Sequence, residues 1–179
     1  MTIITGIVYP VIVTILAQVI FPAKANGSLI RENSKILGSE LIGQRFDTAI
    51  YFWSRPSAAQ YNPLPSGASN YGLTSKALLA QVRDRDAHFR EENFGEGLGV
   101  GSVPSEMVFA SASGLDPDIS PKAAYLQVDR ICRARHWEEK HKIQIIGMIR
   151  KLTQKPQFFI LGEERINVLL LNLELDKIR

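Results

Sequence analysis

No charged side chain occurs between Met1 and Ala23, although the chain of 179 residues carries 21 basic and 18 acidic ones. All of that charge falls in the remaining 156 residues, a segregation that a protein folded wholly in water has no reason to adopt. The single cysteine, Cys132, excludes an internal disulfide framework. Histidine is scarce too, and the three present do not converge. His136 and His141 lie five apart, about 140° from each other on a helix, and His88 stands alone, so no metal site is assigned. A basic face is also missing. The net charge is only +3, and bases alternate with acids in Arg83-Asp84-Arg85-Asp86 and again from Arg130 to Lys142, the pattern of solvated helix faces. No nucleic-acid partner is expected. What is present is ample core material, eight Phe, five Tyr and two Trp, which excludes disorder of the whole chain.

The uncharged stretch from Thr2 to Phe21 counts 20 residues. At about 1.5 Å per residue it would span about 30 Å, the thickness of a bilayer's hydrocarbon core. The expectation is one N-terminal transmembrane helix over residues 1–23, followed by a single mixed α/β soluble domain of the α+β class over 24–179. Thr5, Gly6, Thr14 and Gln18 are the small or polar residues that pack helices together in lipid. Ala23-Lys24-Ala25 fits a signal-peptidase site, but no basic region precedes the apolar run, which is longer than the usual 7 to 15 or so residues. Lys24, Arg31 and Lys35 follow the run, and a bare count of bases would place the large domain in the cytoplasm. Long domains largely escape that rule.

Farther along, Ser28 to Ile30 and Ser39 to Ile42 suit short strands, and an aromatic-rich run covers Phe46 to Trp53. Arg55 to Gly72, with its Pro, Ser, Gly and Asn, reads as a long loop of turns, a class often functional and here the first place to seek a contact surface. Thr74 or Ser75 can cap a helix to about Arg90, and a glycine-rich connector follows from Gly95 to Gly101. Ser120-Pro121 opens a helix to about Arg135, with Ser as cap and Pro where its missing N–H costs nothing. Glu138 to Leu152 suits another helix, Gln157 to Leu161 and Arg165 to Asn167 suit strands, and a leucine-rich helix begins near Asn167.

Catalytic and ligand motifs fail on inspection. Asp116-Pro117-Asp118-Ile119-Ser120 begins like a calcium loop, but Pro121 and Gln127 stand where that loop needs Gly and Glu. Ser111-Ala112-Ser113-Gly114 lacks the first glycine of a nucleophile elbow. The glycines from Gly95 to Gly101 satisfy no dinucleotide fingerprint. No residue is assigned a catalytic role. Ser66 to Gly72 sets hydroxyls, a carboxamide and flexible backbone ahead of a helix start, which suits either an anion or a well-capped turn.

Thr5-Gly6, Tyr9-Pro10, Phe21-Pro22, Ala25 to Ile30, Leu41 to Gln44, Arg55 to Ala58, Tyr61-Asn62, Ser66 to Asn70, Ser113 to Pro117, Ile119 to Pro121, Leu161 to Glu163 and Asn167 to Asp176 form an ordered series. In these blocks the chain resembles the C subunit of the Kdp potassium-transporting ATPase, a single-span component of a bacterial K⁺ pump in the inner membrane. The resemblance implies a non-catalytic subunit that stabilises the complex and promotes ATP use by the hydrolysing subunit. Its implied partners are a channel-like potassium-translocating subunit and a P-type ATP-hydrolysing subunit, with an extracytoplasmic soluble domain. It adds Tyr9 and Pro10 to Gly6 and Gln18 as membrane-helix packing candidates. The alternative it carries is direct nucleotide binding that raises the ATP affinity of the hydrolysing subunit, for which Ser66, Gly67, Ser69 and Asn70 are the contact candidates. No cofactor of the chain's own follows, ATP entering only through the partner subunit. Ala68, Leu73, Ala112 and Asp118 stand where the family more commonly has Gly, Pro, Gly and His.

Overall fold

The computed structural model describes residues 1–95 and 101–178. The interior of the glycine-rich run expected from Gly95 to Gly101 lies outside them. The chain forms two compact units, Met1–Ile42 and Gly43–Arg179.

In the first unit a π-helical turn, Ile4–Val8, runs into α1, Tyr9–Ile20, and a short α2, Pro22–Ala25, follows. Strands β1, Leu29–Glu32, and β2, Lys35–Ser39, then pair antiparallel, with an irregularity between Ile30 and Arg31. No helix among the described residues is long and apolar enough to cross a membrane, which corrects the expected transmembrane helix over residues 1–23. The causes are local. Pro10 has no N–H to give the preceding turn, and that turn widens so that the Tyr9 N–H reaches the Ile4 carbonyl. At the other end Phe21 leaves helical geometry (φ −131°, ψ 56°) just before Pro22. The 12 residues of α1 cover only about 18 Å.

The second unit is mainly helical: α3 (Lys76–Phe94), α4 (Ser105–Val108), α5 (Pro121–Ala134), α6 (Glu139–Leu152) and α7 (Val168–Leu175). A two-residue antiparallel pair, β3 (Asp118–Ile119) with β4 (Ile166–Asn167), joins the segment before α5 to the segment before α7. Side-chain caps set three helix starts: Ser75 accepts from the Leu78 N–H, Ser120 from Ala123 and Asn167 from Leu170. Ala124, Val128 and Ile131 of α5, Ile145 and Ile149 of α6, and Leu171 and Leu175 of α7 meet in one core with Phe52 and Phe89. Segment 154–165 is a hairpin held by two isolated bridges, and its turn falls at Phe158 to Ile160, inside the strand expected over Gln157 to Leu161.

Candidate functional site

The site grows from a segment outside any helix or strand. Phe52 and Trp53 are buried, so their backbone groups need partners. Side chains supply them. Asn172 accepts from the Phe52 N–H at 2.8 Å and donates to its carbonyl at 3.0 Å, as a neighbouring strand would. Gln127 accepts from the Trp53 N–H at 2.7 Å and from Arg130 at 2.8 Å. Arg130 also donates to Asn93 and to the carbonyls of Thr48, Ala49 and Tyr51, with its guanidinium carbon 4.2 Å from the centre of the Trp53 ring. Burial draws the guanidinium pKa down to about 10, still far above neutrality, so the group is charged. His88 stacks on Trp53 at 5.1 Å.

This segment launches the loop 55–72, whose inner side is locked onto residues 111–116. Arg55 pairs with Asp116 at 2.6 Å, and the Ser111 N–H donates to the Pro56 carbonyl at 3.0 Å. The Ser57 hydroxyl donates to the Gly114 carbonyl at 2.6 Å and accepts from the N–H groups of Ala59 and Tyr61. Gly114 has φ +70°, and a Cβ there would stand 3.0 Å from the Gly67 carbonyl oxygen. Gly43 closes the same seam: its N–H donates to the Leu115 carbonyl at 2.7 Å, and a Cβ on it would meet the Asp116 carbonyl oxygen at 2.5 Å. The Tyr61 hydroxyl donates to the Arg55 carbonyl, and burial pushes the phenol pKa up to about 12. The blocks Arg55 to Ala58 and Ser113 to Pro117, far apart in sequence, thus interlock, with Gly43 on the same seam.

The nucleotide-contact candidates sit along the outer part of that loop. Ser66 and Asn70 are exposed, while Gly67 and Ser69 are half-buried. The left-handed residue of the group is Asn70 (φ 54°), a role Asn tolerates, and not Ala68. Helix α3 begins at Lys76, and the turn Gly72 to Thr74 separates its cap, Ser75, from Asn70. No basic residue occurs from Pro63 to Ser75. Large apolar side chains are exposed beside these polar ones: Leu64 and Tyr71 in the loop and Leu73 just after it, Leu73 to 96%. The packing candidates Gly6, Tyr9, Pro10 and Gln18 are all exposed in the first unit, where the Thr14 hydroxyl donates to the Pro10 carbonyl at 2.7 Å and Gln18 accepts from Asn26 at 3.3 Å.

A cavity of about 210 Å³ lies between Arg45, Trp53, Tyr61, Arg85, His88 and Met107. It is smaller than most small-molecule sites, which start at roughly 300 Å³, and none of Ser66, Gly67, Ser69 or Asn70 lines it. Among the described residues no group of three or more His, Cys, Asp or Glu could hold a metal ion. The interlock and its long-range side-chain partners lay outside the reach of sequence reasoning, whose one usable signal was the density of Gly, Ser and Pro in the loop.

The family model described as "K+-transporting ATPase, c chain" matches residues 1–177. Among curated relatives, potassium-transporting ATPase KdpC subunits are 47% identical in Methylococcus capsulatus (99% of this chain, 92% of the relative), 49% in Acidobacterium capsulatum (96% and 89%) and 46% in Burkholderia cenocepacia (98% and 90%). The chain belongs to the KdpC family, and as such is an accessory, non-catalytic subunit of a potassium-transporting ATPase.

Proposed function

We propose that this chain acts by contact: it steadies the pump and promotes ATP use by the hydrolysing subunit without touching nucleotide. The reading rests chiefly on the exposed Leu64, Tyr71 and Leu73 in and just after the locked loop, which suit a protein surface, in a stretch that offers no cation to a phosphate. Its partners are the channel-like potassium-translocating subunit and the P-type ATP-hydrolysing subunit of the same membrane-associated complex. Gly6, Tyr9, Pro10 and Gln18 pack the exposed apolar first unit against the channel-like subunit. The second unit faces away from the cytoplasm, where no ATP pool meets it. An effect on ATP affinity is then conformational coupling, which needs contacts that differ between two states of the pump. Direct nucleotide contact through Ser66, Gly67, Ser69 and Asn70 is the rival reading.

One comparison separates them. In the purified complex, Ser69→Ala with Asn70→Ala is expected to leave both subunit recovery and the ATP concentration for half-maximal hydrolysis unchanged. Leu73→Asp is expected to lower recovery of this chain with the complex, or to raise that concentration several-fold. The reverse pattern, with the serine and asparagine changes alone weakening ATP use, would establish the nucleotide reading.

A further inference from the structure

The hairpin between α6 and β4 ends in Phe158, Phe159, Ile160 and Leu161, which are 81%, 85%, 82% and 60% exposed. Both central residues of its turn have positive φ, Phe158 at 53° and Phe159 at 63°. Gly or Asn is the ordinary choice for such a turn, because a Cβ in the left-handed region crowds the next carbonyl. Two consecutive phenylalanines there are unfavourable for the backbone, and their rings, standing in the open, recover nothing by burial among the described residues.

We propose that this tip inserts into the interfacial layer of a lipid membrane. The turn is closed by backbone bonds: Gln157 N–H donates to the Leu161 carbonyl, Phe159 N–H to Pro156, and Ile160 and Leu161 N–H to Gln157, at 2.9 to 3.2 Å. Three observations favour lipid over a protein pocket. Its four side chains offer no polar atom, whereas protein interfaces carry about one hydrogen bond per 100–200 Å². The exposed apolar area is on the order of 500 Å², short of the roughly 800 Å² that each side of a stable protein interface contributes. A polar collar sits at the base, with Lys155, Glu163, Glu164 and Arg165 exposed just beyond the apolar residues, as headgroup-level residues would be. The Gln154 and Arg165 backbones bond each other in both directions, at 2.8 and 3.1 Å, which holds the hairpin as one piece. The inference is independent of the reading of loop 55–72.

The test places an environment-sensitive fluorophore on Ile160→Cys, with Cys132→Ala removing the native thiol, in the complex reconstituted into vesicles of phosphatidylethanolamine and phosphatidylglycerol. The same label on Lys140→Cys, an exposed site at the start of α6, is the control. The expected result is blue-shifted emission at position 160, quenched by lipids spin-labelled near the headgroup end of the acyl chain and at least several-fold less accessible to aqueous iodide than the control. Iodide access equal to the control overturns the proposal. So does shielding from both iodide and spin-labelled lipid, which would mean that a protein surface covers the tip. Phe158→Asn with Phe159→Gly in the labelled chain relieves the turn. It should remove most of the lipid quenching while the thermal midpoint stays or rises, and a fall in midpoint would show instead that the rings serve the chain's own fold.

Discussion

Arg130 shows how single side chains stand in for missing secondary structure. Its guanidinium serves five acceptors and covers Trp53, yet no carboxylate is among those partners. Five donors in a rigid fork suit this set of scattered carbonyls and amides, which a lysine could not reach together. Tyr61 is the residue whose chemistry is easiest to read from outside. Burial raises its folded-state pKa from 10.0 to about 12, so the folded chain holds the phenolic proton more tightly than the unfolded one. The resulting stability is complete below about pH 10 and is lost as pH rises toward 12. Denaturant titrations across that window should show wild type losing on the order of 1 kcal/mol more than Tyr61→Phe, a figure discounted for the partial exposure of the phenol. Parallel losses would mean that Tyr61 is not the group responsible. At this scale the helix caps at Ser75 and Ser120 were legible, since each acts within three residues of itself. The partners of Arg130, Gln127 and Asn172 were not, because they lie up to 120 residues away in sequence.

Among the elements, the helices with strong apolar periodicity appear where the sequence places them. Helix α5 begins at Pro121 and α6 ends at Leu152, while α3 runs past the expected Arg90 to Phe94. The strands were harder. In the two-residue pair β3–β4, β4 falls inside the strand expected over Arg165 to Asn167, whereas Asp118 of β3 read only as part of a turn. The segment at Phe52 lies outside any helix or strand, and Gln127 of α5 and Asn172 of α7 pair its backbone instead. Asn172→Leu therefore leaves a buried N–H and a buried carbonyl without partners. It should cost about 2–4 kcal/mol in chemical denaturation, far more than the transfer of a carboxamide to a similar-sized leucine would suggest. A loss below about 0.5 kcal/mol would show that another group replaces the clamp. The N-terminal segment teaches the opposite lesson. Its composition alone pointed to a spanning helix, but Pro10 and the departure at Phe21 limit the regular α-helix between them to Tyr9–Ile20.

For the molecule as a whole, the charge-free N-terminal stretch belongs to one compact unit and the interlocked loop to the other. Family membership was legible because its blocks run in order along the chain, and residues 1–177 carry it. Much of what those blocks do was not legible, since Arg55, Ser57, Gly114 and Asp116 are largely fastenings for a loop and not reactive groups. The central claim is that the subunit works by contact, with its second unit beyond the reach of cytoplasmic ATP. The most direct measurement labels Ser102→Cys, an exposed position, in intact cells with a membrane-impermeant thiol reagent, in a Cys132→Ala background. The account predicts full labelling before lysis. Protection until the cells are broken open would place the second unit with the nucleotide pool and contradict it.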